Sequence, residues 1–194
     1  MREISPAENA DCEQFLSLAP HFRPMTEAIR AGKRAGNRPR PSQTMLDTSA
    51  ILSSKFRTNL IDRAAELVDE NLFGRSDMCR QFAILVARGL NALGVSATPI
   101  SGVARYYVDD SLVHSWPHVW VRAGNEAIDA NVDSLYESPT IPHNIKCRPY
   151  WGPIKSVPRD RRLRASIPSI VEPDPDVDSI WWPELSLWVS EQTK

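Results

Sequence analysis

Residues 76–94 read SDMCRQFAILVARGLNALG, and this stretch constrains the fold more than any other. Phe82, Ala83, Val86, Leu90 and Leu93 recur at helical spacing on one face. Ile84 and Leu85 widen the apolar surface until mainly Arg80, Arg88 and Asn91 remain for water. A helix this apolar around its circumference has to be surrounded by other elements, so it is predicted to be central. Ser76 or Asp77 is the expected N-cap and Gly94 the C′ residue. After Gly94 the hydrophobic period changes from that of a helix to that of a strand. Strands are expected over residues 97–108, 112–122 and 126–131, with Asp109-Asp110 and Gly124-Asn125 as the turn signals between them. The predicted fold class is α+β, a buried helix packed on an antiparallel meander. Pro117 has no N–H to give a ladder and belongs at a strand start, a bulge or an edge.

The flanks read differently. Residues 58–72 carry Leu60, Ile61, Ala64, Leu67, Val68 and Leu72 at helical spacing, and Gly74 is expected to stop that helix. Residues 23–40 hold six basic residues against Glu27 and read as a solvated connector. Beyond Ser138 come Pro139, Pro142, Pro149, Pro153, Pro158, Pro168, Pro173, Pro175 and Pro183, which predict neither a long helix nor a central strand. That stretch is expected to wrap the core as extended chain, with Trp151, Trp181, Trp182 and Trp188 as packing anchors. The 194 residues, 42% of them hydrophobic, suit one globular domain. Within it, residues 1–57 form an N-terminal extension with the basic connector, 58–138 the core, and 139–194 a Pro/Trp-rich extension.

A formal net charge of −1 gives no global attraction to nucleic acid or to an anionic membrane. Cys12, Cys79 and Cys147 are sparse, odd in number and without a CxxC pair, so neither a disulfide framework nor a zinc cage is expected. A reducing, cytoplasmic setting fits this usage. The N-terminal residues place acids where a signal peptide needs an apolar run, and no stretch approaches the ~18 apolar residues of a membrane span. His114 and His118 are four residues apart, roughly 13 Å along a strand, too far to share one zinc. His143 and Cys147 have a similar spacing in a Pro-flanked loop, and Asp174, Asp176 and Asp178 lack the Gly and Glu of an EF-hand loop and read as solvated acids. No metal or cofactor is expected. Residues 146–164 hold seven basic residues against Asp160, which leaves room for a local anionic partner, but a nucleic-acid module would show a motif that is missing.

The chemistry-bearing constellation starts at Cys79, expected two or three residues inside the N-terminus of the central helix. Unpaired N–H groups and the helix dipole favour negative charge there, and a thiolate supplies it. Taken alone, a cysteine on an apolar helix is an ordinary buried residue. His118 heads the strand HVWVRA 39 residues later, and Asp129 follows 11 residues after that in NEAIDAN, across a hairpin turn. An imidazole needs a carboxylate on its other nitrogen to fix its tautomer and stabilise an ion pair with a thiolate. Cys147, between Lys146 and Arg148, is a rival nucleophile with no base in sequence reach.

Four phrases in this order are similar to the core pattern of the transglutaminase-like superfamily: Cys79 at a helix start, Leu93-Gly94-Val95-Ser96-Ala97, His118-Val119-Trp120-Val121, and Ile128-Asp129. The resemblance covers residues 58–135, and Met78 stands where a Gly is common in the family. It implies a papain-like α+β core and chemistry at an acyl carbon, with Cys79 as nucleophile, His118 as base and Asp129 as the group orienting the histidine. The Cys79 N–H is the first expected oxyanion donor, with Gln81 or Trp116 as candidates for the second. The function so implied is hydrolysis of an amide in a peptide or protein, in preference to acyl transfer. The alternative is an inactive fold of the same kind that holds a peptide and leaves Cys79 unreactive.

Overall fold

The computed structural model describes residues 44–47, 51–69, 75, 78–137, 142 and 144–192, all within one compact unit, Arg40–Lys194. The expected helix at 58–72 is α1, Ser54–Asp69, which buries Leu60, Ile61, Ala64, Leu67 and Val68. The central helix is α2, Cys79–Ala92. Its residues 82–87 are all buried, so it is enclosed as its composition demands. At its C-terminal end Gly94 has φ +76°. The Gly94 N–H donates to the Asn91 carbonyl and the Val95 N–H to the Leu90 carbonyl, each at 3.0 Å. This is the Schellman pattern, which needs the left-handed conformation glycine adopts without strain. The start differs from expectation. Met78 is the N-cap residue and Cys79 the first helical position, while Ser76 and Asp77 lie outside the described residues, as do Gly74, Cys12, His143 and the 23–40 connector.

The strands follow the predicted order: β2, Ala97–Val108; β3, Ser111–Ala123; β4, Glu126–Asp129. Asp109 and Asp110 both have positive φ, the requirement of a two-residue type I′ hairpin turn. Gly124 alone is positive in the second turn. These strands do not form a separate meander. With β1 (Met45–Leu46), β5 (Tyr150–Pro153) and β6 (Arg161–Ala165) they make a six-stranded mixed sheet in the order β1-β5-β4-β3-β2-β6, in which only β1 and β5 run parallel. The class is α+β, with three α-helices among the described residues on a mixed sheet, and the sheet draws strands from both flanks of residues 58–138.

The Pro-rich stretch departs from the expected extended chain. It contributes β5, an interior strand between β1 and β4, and a helical run that continues into α3, Trp182–Gln192. The prolines sit where they cost little. Pro149 precedes β5 and Pro153 ends it. At the helix start Pro175 follows Asp174, whose carboxylate accepts from the N–H groups of Asp176 and Val177, an Asp-Pro start signal legible in the sequence. Pro183 is the second residue of α3 and follows a π-helical turn, Val177–Trp181. Trp151 and Trp181 are buried in the main core and Trp182 and Trp188 pack against it. Among the described residues no helix is long and apolar enough to cross a membrane.

Val121 and Ile128 face α2 in this core, so strand alternation turns Trp120 and Asp129 to the opposite side of the sheet, with His118 in phase with them. β4 pairs with β3 only at Val121, Arg122 and Ala123. Pro117 lies beyond that contact, in a part of β3 with no ladder partner on its β4 side, which answers the constraint on its placement. Opposite His118 is Gly102, where an added Cβ would lie 2.2 Å from the Arg164 carbonyl oxygen and 2.8 Å from the Trp120 ring. Gly102→Ala is therefore expected to push β6 from β2 and lower stability by about 1–3 kcal/mol, read from urea unfolding.

Candidate active site

Cys79, His118 and Asp129 come together where α2 begins and β4 ends. The His118 Nε2 lies 2.8 Å from Asp129 Oδ1, and both side chains are buried. The other ring nitrogen, Nδ1, is buried without a completed hydrogen bond and is the one left for Cys79. The thiol interacts with the imidazole and with the Val119 N–H, which the end of β4 leaves unpaired in the sheet. A thiol–imidazole contact short of full hydrogen-bond geometry is usual before substrate closes the site. Cys79 is half-buried and lines a cleft of about 450 Å³ with Ser101, Gly102, Trp116, Pro117, His118, Val119 and Ser166.

Burial by itself would push the Cys79 thiol up, but contact with His118, its charge and the Val119 N–H together hold it below its ordinary value. For His118, burial works against the cation and the Asp129 carboxylate outweighs it, raising the pKa to about 10. For Asp129, burial works against the anion, and His118 and Arg161 overcome it, lowering the pKa to about 2. The three shifts share one direction, toward a thiolate, an imidazolium and a carboxylate.

Sequence reasoning missed two residues that hold this arrangement. Arg161, which the sequence places in a basic stretch with room for an anionic partner, is buried, and its Nη1 donates to Asp129 Oδ2 at 2.8 Å. Its remaining donors go to the Asp160 carboxylate and the Arg148 carbonyl. The available signal was phase. Arg161 shares a strand face with Leu163, whereas Arg162 points the other way and lies over the Tyr107 ring. Arg75 is also buried and makes two 2.9 Å bonds to Asp133. Asn131 accepts from the Arg75 guanidinium and donates to its carbonyl. Arg75 is four residues before Cys79 and Asn131 two after Asp129, so this clamp joins the chain entering α2 to the chain leaving β4.

Other sequence candidates are corrected. Cys147 is buried, which pushes its thiol up to about 12 despite nearby Arg161, and its exposed neighbours Lys146 and Arg148 do not offset this. Gln81 donates its side-chain N–H to Asp174 at 3.0 Å and is not a free oxyanion donor. Asp174 is a buried helix cap and Asp178 pairs with Arg88, so neither is simply solvated. His114 stacks between Tyr106 and Trp116. Among the described residues no group of three or more His, Cys, Asp or Glu side chains could hold a metal ion.

No family model matches the chain, and no curated protein matches it significantly. A solved crystal structure of a genomics target aligns over 76% of this chain and 77% of its own at 15% identity, with a TM-score of 0.42. A likeness that distant says nothing about function.

The shifts set the pH dependence of stability. The lowered Asp129 contributes above about pH 4 and loses its contribution as pH falls toward 2. The raised His118 contributes fully below about pH 6.5 and loses it as pH rises through about 10. Thermal unfolding against pH should show greatest stability between these limits, and His118→Ala should remove the alkaline loss. Asp129→Asn takes the buried carboxylate from between His118 and Arg161, leaving Arg161 with Asp160 alone, and is expected to cost about 3 kcal/mol in denaturant unfolding at pH 6. Cys79→Ser should stay within about 1 kcal/mol of wild type.

Proposed function

We propose that this chain is a cysteine enzyme of the transglutaminase-like kind, hydrolysing an amide bond in a peptide or protein through Cys79, His118 and Asp129. The single observation that carries this reading is the buried imidazole of His118, bonded to Asp129 through Nε2 and offering Nδ1 toward Cys79. A packing histidine would need neither a buried carboxylate nor a free nitrogen facing a thiol.

In this reading the Cys79 thiolate forms a C–S bond at the carbonyl carbon, and the proton held on His118 passes to the leaving amine as the C–N bond breaks. His118 then takes a proton from water, which attacks the acyl carbon and releases the acid and the thiol. The Cys79 N–H at the first helical position has no partner within the helix and faces the developing oxyanion. Gln81 being engaged, Trp116 in the cleft lining is the remaining candidate for a second donor. The chemistry requires a reduced thiol, which fits a cytoplasmic setting.

The test is the pH dependence of alkylation of each cysteine by iodoacetamide, read by peptide mapping on wild type and on His118→Ala. Cys79 should react fastest, with its reactivity persisting to about pH 6, well below the ~8.5 of a free thiol. The His118→Ala variant should lose that low-pH reactivity while Cys147 stays inert in both. Wild-type Cys79 titrating like a free thiol, or showing no reaction, would refute the enzyme and leave a peptide-binding module as the better account.

A further inference from the structure

The sheet face turned away from α2 carries a cavity of about 510 Å³, within the roughly 300–1,000 Å³ of small-molecule sites. No residue lines both this cavity and the Cys79 cleft. Its floor is a small apolar cluster separate from the main core. Trp120 and Ala127 are buried there, and Ile100, Val157 and Leu163 pack against them only half-buried. The turn between β5 and β6 forms one wall, where Ile154 is exposed. Ser169 forms part of another, and its hydroxyl is occupied by the Ser101 N–H at 2.9 Å and the Ser101 carbonyl at 3.1 Å. Partly exposed aliphatic groups around an open volume forgo a burial gain that a ligand of matching size would recover.

Charge at the cavity is of one sign. Arg122, Arg161 and Arg162 line it, and no carboxylate does. Two of these are engaged elsewhere. Arg161 is buried and bonded to Asp129 and Asp160, and the Arg162 guanidinium lies over the Tyr107 ring. Arg122 is exposed, two residues after Trp120 on β3 and opposite Ala127 of β4, so strand alternation puts it on the cavity's face of the sheet. Its Nε donates to the Gly124 carbonyl at 3.3 Å, and among the described residues no carboxylate pairs with it. The two terminal nitrogens are left for a ligand, and their planar fork matches a carboxylate.

We propose that this cavity is a ligand site distinct from the Cys79 cleft, and that it takes a small molecule with an apolar body and a single carboxylate. The body covers the Trp120 floor and the carboxylate pairs with Arg122 at the rim. A cationic ligand would meet arginine and no acid. Nothing in this site requires Cys79 to be a nucleophile.

The probes are 2-naphthoate and its uncharged counterpart 2-naphthamide, titrated into the full chain at pH 7 by calorimetry, with backbone amide NMR shifts locating each. Naphthoate is expected to bind about ten-fold more tightly than the amide and to shift the signals of Arg122, Ala127, Val157 and Leu163. Arg122→Gln should bring the two probes to equal affinity. The wild-type shifts are a second test that does not depend on how that variant folds. A naphthoate preference that survives Arg122→Gln, a wild type with no preference or no binding at millimolar probe, or shifts confined to Cys79, Trp116 and Ser166 would overturn the proposal.

Discussion

The site depends on one buried chain of charges, Arg161 to Asp129 to His118. Each link is 2.8 Å long and all three side chains are out of water. An isolated carboxylate in that position would take up a proton, because burial penalises its charged form. Held between a guanidinium and an imidazole, it stays ionised and keeps the imidazole in one orientation. With Cys79 as thiolate and His118 as imidazolium, the four groups balance: two positive and two negative. Arg161 therefore does for Asp129 what Asp129 does for His118, and the thiolate is favoured at the far end of the chain.

Delivering Cys79 to that chain is a matter of packing. The helix that carries it is apolar almost all round and is trapped between the sheet and helices α1 and α3. Its N-terminal end is fixed by the Arg75 clamp to the loop leaving β4. β4 stops at Asp129, which leaves the β3 edge open at Val119, and the thiol occupies that opening. A longer β4 would have paired the Val119 N–H and closed the approach.

Much of this was legible in the order of residues. The enclosed helix, the Gly94 stop, the Asp109-Asp110 turn and the three central strands follow from periodicity and turn chemistry, which act over a few residues. The pairing of His118 with Asp129 was legible because a hairpin places them on adjacent strands. The Pro-rich stretch was misread because counting prolines ignores where each one falls. At strand ends, after a capping Asp174 or beyond a π turn, they are compatible with an interior strand and a helix. Arg161 was overlooked, and Gln81 read as an oxyanion donor, for a different reason. Their partners, Asp129 and Asp174, lie 32 and 93 residues away, and no local pattern marks such pairs.

The sequence by itself determined the local elements and the order Cys, His, Asp along the chain, since helix spacing, turn conformation and strand alternation are short-range properties. Only the tertiary structure decided which ring nitrogen of His118 faces the thiol, which arginine compensates the buried carboxylate, and which cysteine is silenced. Those outcomes depend on burial and on charges brought close from distant parts of the chain. A buried charge is governed by its neighbours in space, and the fold chooses those neighbours.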